Sequence, residues 1–470
     1  MRFTLHHLVM CIGSAVVLSS CAVGNTYKRP HLDTPAHYRQ LVNVTGDTVL
    51  LPWRTFFKDP NLIALIDQAL ERNKDITVAM LNLEQLDLAY RQAKLGLLPN
   101  VDLNIGASRV YQSKNSLNGS LSEQFTGEKY LDDFSATLLL SWEADIWGKA
   151  KLRKDVAHAN YFAQHENLSA LKTRIVVQVA QAYYNLVTLD EQLKVAQENI
   201  LLSDSTLTMI QLQFQSAQVN SLGVEQAEAQ KKTAELLVPL AKQHIAVQEN
   251  ALSILCGAYP DQIVRSPGLE GYKLDEPFAV GLPAHLLSRR PDVKAAEYAV
   301  VVANANIGLS KAAMYPTFSL SPSIGVNSFK FNNWFDLPGA LVKNLAGNIA
   351  QPVFQKRALK TNYEISKIER QKSAEQFRLS VMTAVGEVSD ALVKSKYATE
   401  RMVLVEQKRT SLKKAQNDAL LLYKSGMATY LEVILAQNNA LQNDLEAISI
   451  HKEKYDAVTE LYRALGGGVQ

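Results

Sequence analysis

The sequence predicts a mainly α-helical fold with a transmembrane β-barrel part, arranged as two structural repeats of helix, strand, strand, long helix and long helix. Three observations predict it: an internal duplication, long stretches without helix breakers, and a few strand-like segments with one apolar face. The duplication shows in two matches. Asp75-Ile76 to Leu98-Pro99 and Asp292-Val293 to Tyr315-Pro316 each run from an acidic helix start to a proline and then enter a strand-like stretch. Phe214-Gln215-Ser216-Ala217 with Leu222-Gly223-Val224 likewise matches Tyr423-Lys424-Ser425-Gly426 with Leu431-Glu432-Val433. Intervals of 217 and about 209 residues describe a unit duplicated once with a few insertions, not a solenoid.

The long helices follow from what is missing. Glycine (22) and proline (15) are scarce and clustered. Neither occurs from Lys149 to Leu222, where apolar residues such as Ile175, Val179, Ala182, Leu186 and Leu189 recur at three- and four-residue steps. This is one very long helix or two stacked end to end, on the order of 100 Å in length at the helical rise and far beyond any bilayer. Phe354 to Ser425 repeats the pattern, interrupted only by Gly386, and residues 427 to 465 form a further breaker-free run. A structural coiled coil is the alternative on periodicity alone.

The strands decide against it. Thr317 to Asn327 alternates apolar with small polar residues, and Val101, Leu103, Ile105 and Ala107 alternate with Asp102, Asn104, Gly106 and Ser108. Phe134, Ala136, Leu138, Leu140 and Trp142 make another strand, broken in pattern by Leu139, and residues 346 to 356 are expected to make a shorter fourth. Strands of about ten residues with one greasy face, one small polar face and aromatics near their ends fit a barrel with lipid outside and water inside. A soluble sheet with one solvated face is the other possibility. Four strands cannot enclose a channel, and an open edge is not tolerated in hydrocarbon, so other subunits must close the barrel; three chains give twelve strands. Residues 112–131 and 328–345 are then expected to be exposed surface loops.

At the N-terminus Arg2 precedes an apolar stretch from Leu8 to Leu18, too short for an ordinary membrane span and suited to a secretory signal. It ends in Leu18-Ser19-Ser20-Cys21, which resembles a bacterial lipobox, with Cys21 the lipidated residue. Acyl chains contribute about 0.8 kcal/mol per buried methylene, so several on one residue make a durable anchor. Ala22 follows, not the aspartate of inner-membrane retention, which points to outer-membrane lipid. A net charge of +3, from 49 basic and 46 acidic residues, gives no reason to expect nucleic acid. The three cysteines and nine histidines form no disulfide framework, metal spacing or catalytic constellation. Cys256 reads as packing, Glu143 and Asp145 as a structural strand end, and Arg289-Arg290 as an inter-helix salt-bridge element. No enzyme activity, metal or cofactor is expected. The expected boundaries are a lipoprotein signal at 1–20, a lipidated arm at 21–60, repeat 1 at 61–265 (strands about 100–148), a linker at 266–287, repeat 2 at 288–465 (strands about 317–356) and a tail at 466–470.

Several segments, taken in order, carry a family resemblance. They are Trp53 through Phe56-Phe57 to Asp59-Pro60, Ser141-Trp142-Glu143-Ala144-Asp145-Ile146-Trp147-Gly148, Val179-Ala180-Gln181-Ala182-Tyr183-Tyr184, Leu282-Pro283 to Arg289-Arg290-Pro291-Asp292, and Tyr430-Leu431-Glu432-Val433 with Ala436-Gln437. The chain resembles the outer membrane factors of the TolC/OprM type, lipoprotein branch, of tripartite efflux systems. The resemblance implies a homotrimer with a twelve-stranded barrel and a twelve-helix periplasmic α-barrel. It also implies that helix-turn-helix tips meet a periplasmic adaptor (membrane fusion) protein, which joins the duct to an inner-membrane pump. A pump of the resistance-nodulation-division (RND) class is expected, with ABC or MFS pumps as alternatives.

Two turns are the candidate adaptor-contacting tips: Ala217, Val219, Ser221 and Gly223 in repeat 1, and Gly426, Ala428 and Tyr430 in repeat 2, each with a glycine expected to stop a long helix. They are otherwise simple helix stops. The family pattern near the second tip carries an aspartate, and often a basic residue three further on, where this chain has Leu435 and Asn438. An ionic lock is therefore not expected. Leu431, Leu435 and Asn438 are the candidate periplasmic gate, an apolar constriction that opposes ions by dewetting, unless Leu435 is ordinary helix core. The expected function is passive conduction of small toxic compounds or drugs. A duct for type I protein or peptide secretion and a structural envelope tether are the alternatives.

Overall fold

The computed structural model describes residues 23–39, 52–113, 115–117, 121, 124, 127–268, 283 and 289–467. The signal segment, Cys21, most of the linker expected at 266–287 and the end of the tail lie outside the described residues. After a one-turn helix α1 (Trp53–Phe56) and α2 (Pro60–Arg72), the order is α3 (Lys74–Lys94), β1 (Asn100–Val110), β2 (Leu131–Glu143), α4 (Lys149–Gln215) and α5 (Ser221–Leu255). The same order then recurs as α6 (Pro291–Ala312), β3 (Thr317–Ser328), β4 (Leu341–Ala350), α7 (Ala358–Lys424) and α8 (Tyr430–Ala464). Both α4 and α7 have 67 residues, and both α5 and α8 have 35, so the duplication is kept to the residue in the two longest helices of each repeat.

The chain divides into two compact units. Among the described residues, one is formed by those up to 30, by 84–162 and by 297–375, the other by those within 31–83, 163–296 and from 376 onward. The first unit holds an antiparallel sheet in the order β1-β2-β3-β4. Its register places Val101, Leu103, Ile105 and Ala107 beside Leu140, Leu138, Ala136 and Phe134. The same face continues through Val326, Ile324 and Leu320 of β3 to Leu341, Lys343, Leu345 and Ile349 of β4. Directly opposed residues share a face, so one side of the whole sheet is apolar. Asp102, Asn104, Ser135, Thr137, Ser323, Asn327, Asn344 and Asn348 occupy the other. Every residue of both edge strands is exposed.

The fourth strand lies at 341–350, earlier than the expected 346–356. Pro352 cannot donate to a ladder, which ends pairing there, while Lys343 and Gly347 interrupt the apolar alternation that would have shown the true start. Likewise α7 begins at Ala358, not Phe354, because Lys356 and Arg357 take left-handed φ values of 48° and 65°. At the end of β2, Asp145 accepts the Ala150 and Lys151 amides at 2.9 and 3.2 Å, capping the first turn of α4. Glu143 pairs with Lys149 at 2.9 Å. These carboxylates start a helix. Among the described residues no helix is long and apolar enough to cross a membrane.

The second unit contains the main hydrophobic core, centred on Phe56, Phe57, Leu62, Ile66, Val176, Val179, Tyr183, Tyr184, Leu186 and Tyr462. Phe56 stacks on Tyr462 at 4.3 Å and Tyr184 on Tyr455 at 5.0 Å. The Tyr183 hydroxyl donates to Asp59, which also caps α2. Arg290, with a side chain 3% exposed, meets Asp292 and Glu387 at 2.6 Å each, and Arg463 reaches Glu387 at 2.9 Å. Burial works against the Arg290 charge, but its bonds to Asp292 and Glu387 outweigh that and raise its pKa. The Arg289-Arg290 segment thus contributes an ion pair between helices. Cys256 is buried, and burial alone pushes its thiol up to about 11, the state of an inert packing cysteine.

Candidate functional site

Both candidate tips are built on one plan. At the end of α4 the Gln218 amide donates to the Gln213 carbonyl at 2.8 Å and Ala217 to Phe214 at 2.9 Å. At the end of α7 Met427 donates to Leu422 at 2.9 Å and Gly426 to Tyr423 at 3.0 Å. These bond pairs define Schellman motifs, which require a left-handed residue just past the helix. Gly426 supplies it with φ 74° and Ala217 with φ 55°. The expected stop at Gly223 is therefore corrected. Gly223 lies inside α5, where an added Cβ would meet only Ile210 Cγ2 at 3.9 Å, so space does not demand glycine there.

The following helices start with different caps. Asn220 Oδ1 accepts the Gly223 amide at 3.3 Å. Thr429 and Glu432 form a full capping box, with the Thr429 amide donating to Glu432 at 2.6 Å. A shared cluster of Leu207, Ile210, Ala227, Tyr423, Tyr430 and Val433 draws the two turns together, with Val219 and Ala428 packed against it. The Tyr423 hydroxyl donates to Gln213 Oε1 at 2.5 Å across the pair.

This burial corrects the reading of Tyr430 as a contact residue. Its side chain is 8% exposed, and burial pushes its hydroxyl up to about 12. It joins the turns instead of facing outward. Ala217, Ser221 and Gly426 are exposed, and beside them stand Phe214, Leu222 and Met427, which sequence reasoning passed over. The signal for them was available: large apolar residues flanking a turn that has no core of its own to fill.

Leu431 and Leu435 occupy successive turns of one face of α8 and are 58% and 53% exposed. Within this chain Leu435 is not helix core. Asn438 is held differently, half-buried and accepting from Gln230 of α5 at 2.8 Å. Deeper in the same pair of hairpins Gln437 donates to Thr206 at 3.1 Å, a buried polar contact.

An antiparallel sheet with an apolar face and two bare edges, joined to helices of 67 residues where about 10–14 is ordinary, defines a subunit of a membrane-spanning duct. The chain belongs to the outer membrane efflux protein family, whose sequence pattern matches residues 65–258 and 282–467. It is similar to the cation efflux system protein CusC of Escherichia coli K12, 28% identical over 98% of this chain and 99% of that protein. The probable outer membrane lipoprotein SilC of Salmonella typhimurium is 27% identical over 98% of each chain. The open state of the MtrE outer membrane channel of Neisseria gonorrhoeae matches with a TM-score of 0.84 at 27% identity, covering 96% of this chain and 99% of that one. The chain is thus an outer-membrane channel component of an efflux system, a transport protein that extends into the periplasm.

Proposed function

We propose that three copies of this chain close a twelve-stranded barrel and conduct small toxic compounds outward from a periplasmic adaptor and an inner-membrane pump of the RND class. The observation that carries this reading is the sheet. Its two fully exposed edges need partners in hydrocarbon, and its apolar and small polar faces suit lipid and water. Lipidation at Cys21 supplies the anchor. The exposed turn residues Ala217, Ser221 and Gly426 take the adaptor, with Val219, Gly223, Ala428 and Tyr430 shaping the turns. Leu431 and Leu435 face one another across the closed periplasmic aperture and Asn438 braces the helix behind them.

The cargo is a compound class, and the similarity to the cation efflux protein CusC adds metal cations to small toxic compounds and drugs. Deleting the gene and measuring accumulation of a fluorescent dye, an antibiotic panel and a panel of toxic metal cations tests the reading. Raised accumulation, rescued by wild type and rescued less well by Cys21→Ala, is expected. Unchanged accumulation of every compound would remove the efflux assignment. At the aperture, Leu435→Asp is expected to raise planar-bilayer conductance of the closed channel several-fold, because a charged ring wets a constriction that leucine keeps dry. Unchanged conductance would place the gate elsewhere.

A further inference from the structure

The connection between β3 and β4, residues 329–340, is not built as a water-facing loop. Phe329, Phe331, Phe335 and Leu337 expose 56%, 70%, 67% and 62% of their surface, and Lys330 and Asp336 are its only charges. The connection between β1 and β2 is instead rich in Ser, Asn, Gly, Lys and Glu. That connection too exposes Tyr111 and Leu117, but set among polar residues, whereas Phe329, Phe331, Phe335 and Leu337 crowd one short segment.

Phe134 tells which way the loop folds. It lies on the apolar face of β2, in line with Ala136, Leu138, Leu140 and Trp142. Its ring meets Phe331 edge-on at 5.5 Å and Trp334 at 5.8 Å, and Trp334 meets Phe335 at 4.9 Å. The loop leans over the apolar face, away from the face carrying Asp102, Ser135 and Thr137. Part of its backbone is bonded within the loop: Asn333 donates to Lys330, Trp334 to Phe331, Asp336 to Asn333 and Ala340 to Asp336, while Asn327 donates to Ala340 at 2.8 Å to close the base. These bonds remove part of the cost, several kcal/mol per bare peptide group, of bringing the segment against an apolar medium. Lys343 sits on the same apolar face opposite Ile324, and a lysine there must reach headgroup level, which puts that level within one side-chain length of the loop.

We propose that residues 329–337 form an apolar ledge docked in the outer leaflet of the membrane, its rings among lipid acyl chains and Lys330 at the phosphate level. The ledge continues the lipid-facing side of the sheet, on which reading it rests, and extends the membrane-bound perimeter of each subunit beyond its strands. It is a membrane anchor independent of lipidation.

Full-length protein reconstituted in phosphatidylcholine vesicles tests this, with spin labels on cysteines introduced by Phe331→Cys and Phe335→Cys. Leu138→Cys and Thr137→Cys serve as references for the two faces of the sheet. Labels at 331 and 335 are expected to match Leu138 in their ratio of oxygen to aqueous nickel-complex collisions and to exceed Thr137 several-fold. A ratio like that of Thr137, or poor access to both reagents, would overturn the ledge in favour of a solvated loop or a contact with another chain. A water-like ratio at Leu138 itself would sink the lipid-facing reading of the sheet and the ledge with it. Trp334 reads the unsubstituted loop. In a Trp142→Phe protein, lipids brominated along the acyl chain are expected to quench an emission component that disappears in Trp142→Phe/Trp334→Phe, and no such component would overturn the proposal.

Discussion

At two of the three places where both repeats put a left-handed residue they fill it with opposite amino acids, and just past the shorter helices both use glycine, Gly257 and Gly466. At the entry to the 67-residue helix, repeat 1 has Gly148 at φ 71° and repeat 2 has Arg357 at φ 65°. At the far turn repeat 1 has Ala217 at φ 55° and repeat 2 has Gly426 at φ 74°. About 209 residues separate the members of each pair, the interval of the duplication itself. At the two ends of the 67-residue helix each repeat thus uses glycine at one site and bears a residue with a Cβ at the other, where the left-handed conformation costs about 1–2 kcal/mol. The turn is therefore imposed by the helices and cap bonds that meet there, and glycine relieves it without being its cause.

The largest expected effect tests whether those surroundings hold the tips. Ile210 is fully buried in the cluster shared by both turns, so Ile210→Ala should cost about 2–5 kcal/mol of local stability. Hydrogen exchange should accelerate at both 212–222 and 421–431; acceleration at the first turn alone would break the claim of a common clamp. Next comes Gly426→Ala. An added Cβ there meets open space, so only backbone strain remains, about 1–2 kcal/mol, and exchange should rise at the second turn. No change would mean that the turn relaxes away from its left-handed form. The smallest effect has the opposite sign: Ala217→Gly should slow exchange at the first turn by about 0.5–1 kcal/mol, the strain relieved less the chain entropy of glycine. Faster exchange would show that Ala217 carries no strain.

Much of the fold was legible because duplicated signals reinforce one another. Long breaker-free runs gave the helices, and alternation in three strands gave the apolar and polar faces. The parts that were missed depend on single residues. Lys343 and Gly347 hid the start of β4, since they stand on its apolar face while Val342 and Ala346 stand on the other, which leaves little periodicity to read. Gly223 was taken for a turn glycine, although the bond from Gln218 to Gln213 puts the left-handed position at Ala217. Tyr430 was read by its place beside a turn, and nothing local says that Tyr423, from another helix, packs against it at 6.0 Å. The outward fold of residues 329–340 depends on the ring of Phe134, remote in sequence.

The bare edges of β1 and β4 also bear on inheritance. A lone subunit cannot leave these strands open in lipid, so insertion and trimerisation must occur as one step whose rate rises steeply with subunit supply. A chain with a spoiled β1 edge but sound helices would still be recruited, and one such chain would leave a seam in the whole ring. Co-expressed with normal chains, it would poison most of the assemblies it joined, making such edge defects dominant.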